Sequence, residues 1–194
     1  MKRDEIAIRR PRIEEIDLIH GFFEIVLKDT FDANGLQTMN DLLEEEILDK
    51  RRCINQDFST NGRDRYFLLA EYNDEIIGSI EYGLSNELLN RCTNNEMKDL
   101  FEVGTVFVHP QYQKQGVSSL LFDSLFKELY NQGIQEICFD SGYKIAQKIW
   151  CKRFGDPKYY LRDFWGKGSH HMIWRISVKE PPARIDQYKK GECL

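Results

Sequence analysis

A short polar loop, residues 113–119, has residue types that can bind phosphate. It lies between a β-branched and aromatic run and a segment with helical apolar spacing that begins at Val117. The first amides of a helix lack intrahelical partners and lie at the positive end of its dipole, so they can donate to phosphate oxygens. Gly116 lets an anion approach the backbone, and Ser118 and Ser119 add hydroxyl donors without filling the space. The loop therefore predicts an anion site.

Two common nucleotide sites do not fit this loop. A nucleotide P-loop requires a Lys-Ser or Lys-Thr pair after its glycines, and a dinucleotide fold requires G-x-G-x-x-G. Residues 113–119 contain neither pattern, so a nucleotide-binding α/β protein is disfavoured. Lys114 could add a point charge for a phosphate, although an exposed loop lysine needs no function.

The stretch from Val108 to Ser118 resembles the acyl-CoA signature of the GNAT N-acetyltransferase superfamily. The core of that signature is Q/R-x-x-G-x-G/A after a strand that ends in Val-x-Pro. Gln113 and Gly116 match it, whereas Ser118 stands where the family prefers Gly or Ala. The resemblance covers residues 6–178 and implies an acetyl-CoA-dependent N-acetyltransferase.

The resemblance also implies how acetyl-CoA is held. In the family, two neighbouring strands splay apart, and the amides of the pantetheine arm pair with the exposed backbone of the strand before the signature. The signature loop holds the pyrophosphate. In this chain the implied pantetheine residues are Val106, Phe107 and Val108, and the implied loop residues are Gln113, Lys114, Gln115, Gly116, Val117, Ser118 and Ser119.

The implied reaction is direct transfer of an acetyl group from the thioester to an amine. The amine must lose a proton before it attacks, and the leaving thiolate must be protonated or stabilised. Glu102 lies six residues before Val108, where many family members have a glutamate base. Partial burial would bring its pKa nearer neutrality. A solvated or ion-paired strand residue explains Glu102 equally well.

The residue that would protonate the thiolate is left open. The segment from Ala146 to Gly155 resembles the A-x-x-F-Y-x-x-x-G ending of the family. Alignment on Ala146 puts Trp150 at the position of the usual tyrosine, and a tryptophan cannot donate a proton in this role. Alignment on Gly155 puts Cys151 at that position. A thiol with a pKa near ~8.5 could donate, and a CoA thiolate could also leave without an acid. The other candidates are Tyr143, Tyr159 and Tyr160.

The cysteines and histidines do not favour a metal site. The five cysteines include no Cys-x-x-Cys pair, and the four histidines have no ligand spacing. An acyl-cysteine intermediate at Cys138 or Cys151 is disfavoured because no histidine lies near either in sequence. His170 and His171 follow two glycines and are interpreted as part of a polar turn.

Composition limits the class of protein. A chain of 194 residues suits one domain, predicted as residues 1–178 with a polar tail at 179–194. The net charge of −5 argues against nucleic acid or an anionic membrane as a partner, because both require a dense cationic patch. No apolar run approaches the length of a membrane span, which is about 20 residues. The N-terminus lacks the apolar segment of a signal peptide. A cytoplasmic location is therefore expected.

The elements that must position these groups follow from apolar periodicity and turn residues. Strands are predicted at residues 6–9, 66–72, 76–84, 100–108, 136–140, 159–161 and 172–178, helices at 13–30, 38–58, 117–129 and 143–154, and a loop at 85–99. This order predicts a mixed α/β fold with one parallel crossover, between the fourth and fifth strands. The GNAT resemblance implies the same fold, a mostly antiparallel sheet in which these two strands splay apart.

The fourth predicted strand contains Gly104, which can mark a β-bulge. If the strand is regular, its residues alternate between two faces. One face would carry Phe101, Val103, Thr105 and Phe107, and the other Glu102, Gly104, Val106 and Val108. A bulge at Gly104 would break this alternation for one residue.

Two hypotheses of different class follow. The first is an enzyme that moves an acetyl group from acetyl-CoA to a primary amine of a small molecule or peptide. The second is a non-catalytic acyl-CoA-binding sensor, which is motivated by the missing helix tyrosine. Phe31, Tyr160 and Trp165 could form apolar walls of an acceptor site or belong to the core. The closing strands could also pair with a second copy, which leaves a homodimer open.

Overall fold

The structure is a computed structural model that describes residues 2–179. Its strands are β1 (Ala7–Arg9), β2 (Arg65–Tyr72), β3 (Glu75–Leu84), β4 (Phe101–Val108), β5 (Glu136–Ser141), β6 (Tyr159–Leu161) and β7 (His171–Ser177). Its α-helices are α1 (Ile16–Ala33), α2 (Asn40–Thr60), α3 (Glu87–Cys92), α4 (Val117–Asn131) and α5 (Lys144–Phe154). The predicted tail lies outside the described residues from position 180 onward, and the division into a domain and a tail stays a prediction.

The seven strands form a single sheet in the order β1-β2-β3-β4-β5-β7-β6. Neighbouring strands are antiparallel except β4 and β5, which are parallel. The predicted mixed α/β class and the single parallel crossover are therefore confirmed. None of the helices between residues 2 and 179 combines the length and the apolar character needed to cross a membrane.

Helices cover both faces of the sheet. On one face, here called the α2 face, α1 and α2 bury apolar side chains against β2 and against Phe107 of β4. On the other, here called the α4 face, α4 and α5 pack against the central strands. Trp174 of β7 and Phe139 of β5 stack there with ring centroids 5.2 Å apart. Candidate catalytic residues that the sequence placed in one site therefore lie on different faces of the sheet.

Helix α4 is held close to the sheet by its apolar stripe. Val117, Leu121, Leu125 and Leu129 are all buried, as their helical spacing predicts. A Cβ at Gly78 of β3 would lie 2.9 Å from Val117 Cγ1, so only a glycine permits this approach. The first turn of α4 therefore sits against the sheet beside the end of β4.

The segment predicted as a loop at residues 85–99 contains a helix, so that prediction is wrong. Asn86 begins α3 with its side-chain oxygen 2.8 Å from the amide of Leu89. The cap satisfies an amide at the start of the helix, and Leu89 is fully buried beside Met97 and Cys138. A helix of one and a half turns has too few periodic residues to stand out from its polar surroundings.

Strand β4 contains the predicted bulge. Ser79 pairs with Phe107 and Glu81 pairs with Gly104, so two steps along β3 correspond to three along β4. Thr105 has a positive φ of 48°, which is rare for a β-branched residue. The regular alternation is wrong beyond Gly104, because the extra residue rotates the rest of the strand. Phe101, Val103, Val106 and Val108 all pack on the α4 face, and Phe107 packs on Phe23 of α1.

Candidate active site

The parallel pair β4 and β5 opens into a gap. The two strands are paired only where Phe101 faces Ile137 and Glu102 faces Cys138. From Val103 onward, the edge of β4 that faces β5 has no strand partner within residues 2–179. Val106, Phe107 and Val108, the predicted pantetheine residues, lie on this open stretch. Their backbone groups on that edge are available to a ligand.

The loop that follows β4 presents free amides. Lys114 and Gly116 have positive φ values of 61° and 88°, and Gly116 is the residue from which α4 starts. None of the amides of residues 114–118 donates to an acceptor within residues 2–179. Successive amides in such a loop, placed at a helix N-terminus, form a concave anion site. The geometry suits the predicted pyrophosphate loop.

The side chains of this loop point in several directions. Gln113 donates to Asp29 Oδ2 at 3.1 Å, and Gln115 donates to the carbonyl of Gln111 at 2.9 Å. The side chains of both glutamines therefore stabilise the loop through hydrogen bonds to other residues of the protein. Val117 is buried in the core, so only its amide faces the site. The remaining predicted loop residues, Lys114, Ser118 and Ser119, are exposed or partly buried.

Two arginines that sequence reasoning missed lie beside this loop. A Cβ at Gly116 would be 3.2 Å from Arg3 Nε, so the Arg3 guanidinium covers the glycine. Arg153 of α5 donates to Ser119 Oγ at 3.2 Å and lies over the Phe122 ring, 4.5 Å from its centre. Burial lowers the pKa of Arg153, and the nearby charge of Arg3 lowers it further. Two cations that converge on a helix N-terminus make the surroundings of the loop strongly attractive to phosphate.

Glu102 lies at the point where β4 and β5 separate. It accepts hydrogen bonds from the backbone amide of Asn86 at 2.7 Å and from Asn86 Nδ2 at 2.9 Å. Burial raises the pKa of Glu102 to about 8, and the negative charge of Asp140 adds to the rise. Gly83, its partner on β3, is covered by Arg65, which also reaches Gln56 of α2. Glu102 is therefore on the α2 face, with a pKa suited to proton transfer near neutrality.

A second buried carboxylate, Glu81 of β3, supports the bulge. Arg65 Nη1 donates to it at 2.7 Å and Thr105 Oγ1 at 3.2 Å. Burial raises the pKa of Glu81 above that of a free glutamate. A Cβ at Gly104 would lie 2.5 Å from Glu81 Oε1, so the carboxylate requires a glycine there. Sequence reasoning missed Glu81 because it comes 23 residues before Gly104 and meets it only through strand pairing.

Tyr143, one of the predicted acids, also lies on the α2 side of the molecule. It immediately precedes α5, and its ring centroid is 6.1 Å from that of Phe31 on α1. Burial raises the pKa of Tyr143, and the negative charge of Glu46 on α2 raises it further. The hydroxyl therefore keeps its proton at neutral pH. Phe31 is fully buried and packs beside the Tyr143 ring.

Cys151 occupies a different place. It packs with Trp150 and Phe154 against the core on the α4 face, whereas Glu102 is on the α2 face. It also lines a groove between α5 and the segment before β7, together with Lys144, Gln147, Lys148, Gly168, His170 and Met172. The structure does not bring Cys151 and Glu102 together, and a role for Cys151 in proton transfer stays a prediction.

The thiol of Cys138 is enclosed beneath Glu102. It is fully buried, and its Sγ lies 3.6 Å from the carbonyl oxygen of Phe101. Burial raises the pKa of Cys138 to about 12, with added repulsion from Glu102. Because a thiolate is the reactive form, these surroundings disfavour an acyl intermediate on this residue. Between residues 2 and 179, no three His, Cys, Asp or Glu side chains are grouped in a way that could hold a metal ion.

His171 is not part of a turn, so that interpretation is wrong. It is the first residue of β7 and is only 3% exposed. Its ring hydrogen-bonds to Asp140 of β5 and to Trp165. Trp165, for which the sequence left a wall or a core position open, is half exposed above Gly142. Tyr160 lies against His170 in a tilted arrangement, with 5.1 Å between ring centroids. The sequence did not predict the contact between His171 and Asp140.

Comparison with known proteins places this arrangement in a family. The sequence profile described as the Acetyltransferase (GNAT) family matches residues 32–156, well over half of the chain. The chain therefore belongs to the GNAT family, whose members are acyltransferases, and the predicted family is confirmed. Among curated protein sequences, none matches the chain significantly.

Solved structures share the fold at low sequence identity. A protein assigned to the GNAT family from Desulfovibrio desulfuricans is 15% identical, with a TM-score of 0.66 over 90% of this chain and 99% of that chain. The PaiA N-acetyltransferase from Thermoplasma acidophilum, solved in complex with coenzyme A, is 17% identical, with a TM-score of 0.63 over 89% and 98%. An N-acetyltransferase from Staphylococcus aureus is 14% identical, with a TM-score of 0.61 over 90% and 99%. The likeness confirms the fold.

Proposed function

We propose that the protein transfers an acetyl group from acetyl-CoA directly to a primary amine of a small molecule or peptide. The main support is that three features follow one another along β4. Glu102 has a raised pKa where β4 and β5 separate, the edge of β4 beyond it is open, and the free amides of residues 114–118 come after its end. A base, a channel for the pantetheine arm and a phosphate site are thereby aligned in the order that the thioester requires.

The phosphates of acetyl-CoA would bind at the start of α4. The amides of residues 114–118 would accept the pyrophosphate, and Arg3 and Arg153 would neutralise its charge. The pantetheine amides would pair with the open edge at Val106, Phe107 and Val108. Ser119 would orient Arg153 through the hydrogen bond between them. These contacts would hold the thioester in the gap, beside Glu102.

In the proposed reaction, Glu102 removes a proton from the amine. The amine nitrogen then attacks the thioester carbonyl, a C–N bond forms, the C–S bond breaks, and CoA leaves as a thiolate. Tyr143 is the favoured proton donor to the thiolate, because it lies on the same side as Glu102 and stays protonated. With a pKa of about 8, Glu102 holds its proton for much of the time at neutral pH, so the base form becomes more abundant as the pH rises.

Calorimetry with acetyl-CoA and free CoA tests the phosphate site. The variant Gly116→Asp places a carboxylate where the pyrophosphate should bind, and Gly116→Asn is its uncharged control with nearly the same volume. Both variants share the strain of a side chain at a φ of 88°. We expect binding by the wild type, weaker binding by the Asn variant and none by the Asp variant. Equal affinity of the two variants for CoA would contradict the placement of the phosphates.

An acceptor screen tests the transferase reaction. Polyamines, aminoglycosides, amino acids and peptides with a free N-terminus are offered with acetyl-CoA, and acetylated products are detected by mass spectrometry. Turnover that is lost in Glu102→Gln while acetyl-CoA binding is retained supports the proposal. Binding without turnover of any amine would instead favour the acyl-CoA sensor.

A further inference from the structure

A chain of hydrogen bonds links Trp165, His171 and Asp140. Trp165 Nε1 donates to His171 Nδ1 at 3.1 Å, and His171 Nε2 is 3.1 Å from Asp140 Oδ2. The indole is held in place by its own loop, since the amide of Trp165 donates to the carbonyl of Ser169 at 3.0 Å. A Cβ at Gly142 would lie 2.9 Å from the indole nitrogen, so the ring packs directly on the backbone that follows β5.

This chain determines which nitrogen of His171 carries a proton. An indole N–H can only donate, so Nδ1 of His171 must accept and must be unprotonated. The single ring proton of a neutral imidazole is then on Nε2, from which it is donated to Asp140. A second proton on Nδ1 would face the indole N–H. Trp165 therefore orients His171 so that Nε2 is the nitrogen that donates to Asp140.

Asp140 lies on β5 next to the gap, on the same face of the sheet as Glu102. Glu102 and Cys138 form the last residue pair between β4 and β5. Asp140 comes two residues after Cys138, so it lies on the same face of β5 as Cys138. His171 occupies its Oδ2, whereas Oδ1 has no hydrogen-bond partner within residues 2–179. The Asp140 side chain is 20% exposed to solvent. One carboxylate oxygen is thus held by His171, and the other belongs to a partly exposed side chain and is without a partner in the same residues.

The charged groups around this space are mostly negative. Burial raises the pKa values of Glu102 on β4 and Glu46 on α2, and the charge of Asp140 adds to both rises. Lys50 is occupied by Glu46 and Asp49, and Arg65 by Glu81. His171 is neutral. The space therefore lacks a free positive charge within the described part of the chain, and a cation would relieve the repulsion.

We propose that Asp140, positioned by His171 and Trp165, binds the ammonium group of a protonated amine acceptor beside Glu102. The inference rests on the proposed function and names the residue that holds the nitrogen of its acceptor. The bound R–NH₃⁺ gives one proton to the Glu102 carboxylate and becomes R–NH₂. Attack on the thioester then forms the C–N bond and breaks the C–S bond. The leaving thiolate takes a proton from Tyr143, and the proton that the nitrogen loses restores the Tyr143 hydroxyl, so the products are R–NH–CO–CH₃ and CoA–SH. Bound ammonium also favours the ionised form of Glu102, because opposite charges stabilise each other.

The first test uses n-butylammonium chloride as the probe and carbon-13 NMR of protein labelled at the Asp and Glu carboxyls. Spectra of Asp140→Asn and Glu102→Gln assign the two resonances. We expect butylammonium to shift the Asp140 resonance saturably and to lower the pKa of Glu102, whereas n-butanol, which has the same chain and no charge, does neither. Nitrogen-15 spectra should show His171 protonated on Nε2 only. No shift of Asp140 with butylammonium, or a proton on Nδ1, would overturn the inference.

Kinetic variants test the positioning roles with an amine found in the acceptor screen. Asp140→Asn should raise the acceptor KM about tenfold or more, as expected for the loss of a charge-assisted contact, and leave the acetyl-CoA KM unchanged. His171→Leu should do the same, and His171→Gln should restore much of the affinity because its amide can both accept from Trp165 and donate to Asp140. Trp165→Phe keeps the ring and loses the N–H, so it should raise the acceptor KM by less.

Asp156→Asn, an exposed carboxylate just after α5 that forms no ion pair within residues 2–179, is the matched control and should change nothing. Turnover by the wild type with an unchanged acceptor KM in Asp140→Asn would overturn this inference and leave the proposed function intact. Absence of turnover with every amine, despite ammonium binding at Asp140, would overturn the proposed function alone.

Discussion

The pH dependence of turnover follows directly from the position of Glu102. Its carboxylate must be ionised to accept a proton, and burial together with Asp140 raises its pKa to about 8. At pH 7 only about one molecule in eleven then has the base form. The value of kcat/KM should therefore rise about tenfold per pH unit below pH 7 and level off above about pH 8.5. A free glutamate would instead give a flat profile from about pH 5.5 upward.

The assay measures kcat/KM for one amine from the acceptor screen between pH 5.5 and 9.5, with the acetylated product quantified by chromatography. Glu102→Gln should lose the dependence on pH and should reduce turnover by about 10²- to 10⁴-fold, the usual contribution of a general base. Asp140→Asn removes the neighbouring negative charge, so the midpoint of the remaining profile should move to lower pH.

Two results would refute this reasoning. One is a wild-type profile that is already flat from about pH 5.5 upward, as for a free glutamate, which would mean that Glu102 is not desolvated during turnover. The other is an unchanged midpoint near pH 8 in Glu102→Gln, which would assign the titration to another group. Asp156→Asn, just after α5, controls for a general change in surface charge and should leave the profile in place.

Three further predictions concern the phosphate site and the core. Arg153→Gln should weaken acetyl-CoA binding about tenfold or more by calorimetry, because a charged hydrogen bond contributes about 1.5–3 kcal/mol; an unchanged affinity would remove Arg153 from the site. Gly104→Ala should lower the free energy of unfolding by about 1–3 kcal/mol in urea, because its Cβ meets the buried Glu81 carboxylate; wild-type stability would contradict that contact. Leu89→Ala should cost about 2–5 kcal/mol in the same assay, since Leu89 is fully buried; a loss below about 0.5 kcal/mol would contradict a packed α3.

Most of the secondary structure was predictable because it depends on short-range patterns. The stripe of Val117, Leu121, Leu125 and Leu129 has helical spacing, and all four residues are buried in α4. The bulge was predictable from Gly104, although the residue with positive φ is its neighbour Thr105. The missed helix α3 depends on one cap at Asn86 and one buried leucine, which is too little periodicity for a pattern to detect.

The sequence by itself determined the loop at residues 113–119, the strand before it and the helix after it, because contiguous residues create that geometry. Only the tertiary structure brought Arg3 to Gly116, Glu81 to Gly104, and the chain of Trp165, His171 and Asp140 to the gap beside Glu102. These partners come from strands and loops far apart in sequence, and no local pattern records which of them will meet. The raised pKa of Glu102 has the same origin, since it arises from burial and from the charge on the neighbouring strand. The loop is thus a local property of the chain, whereas the chemistry of the site depends on how the sheet is assembled.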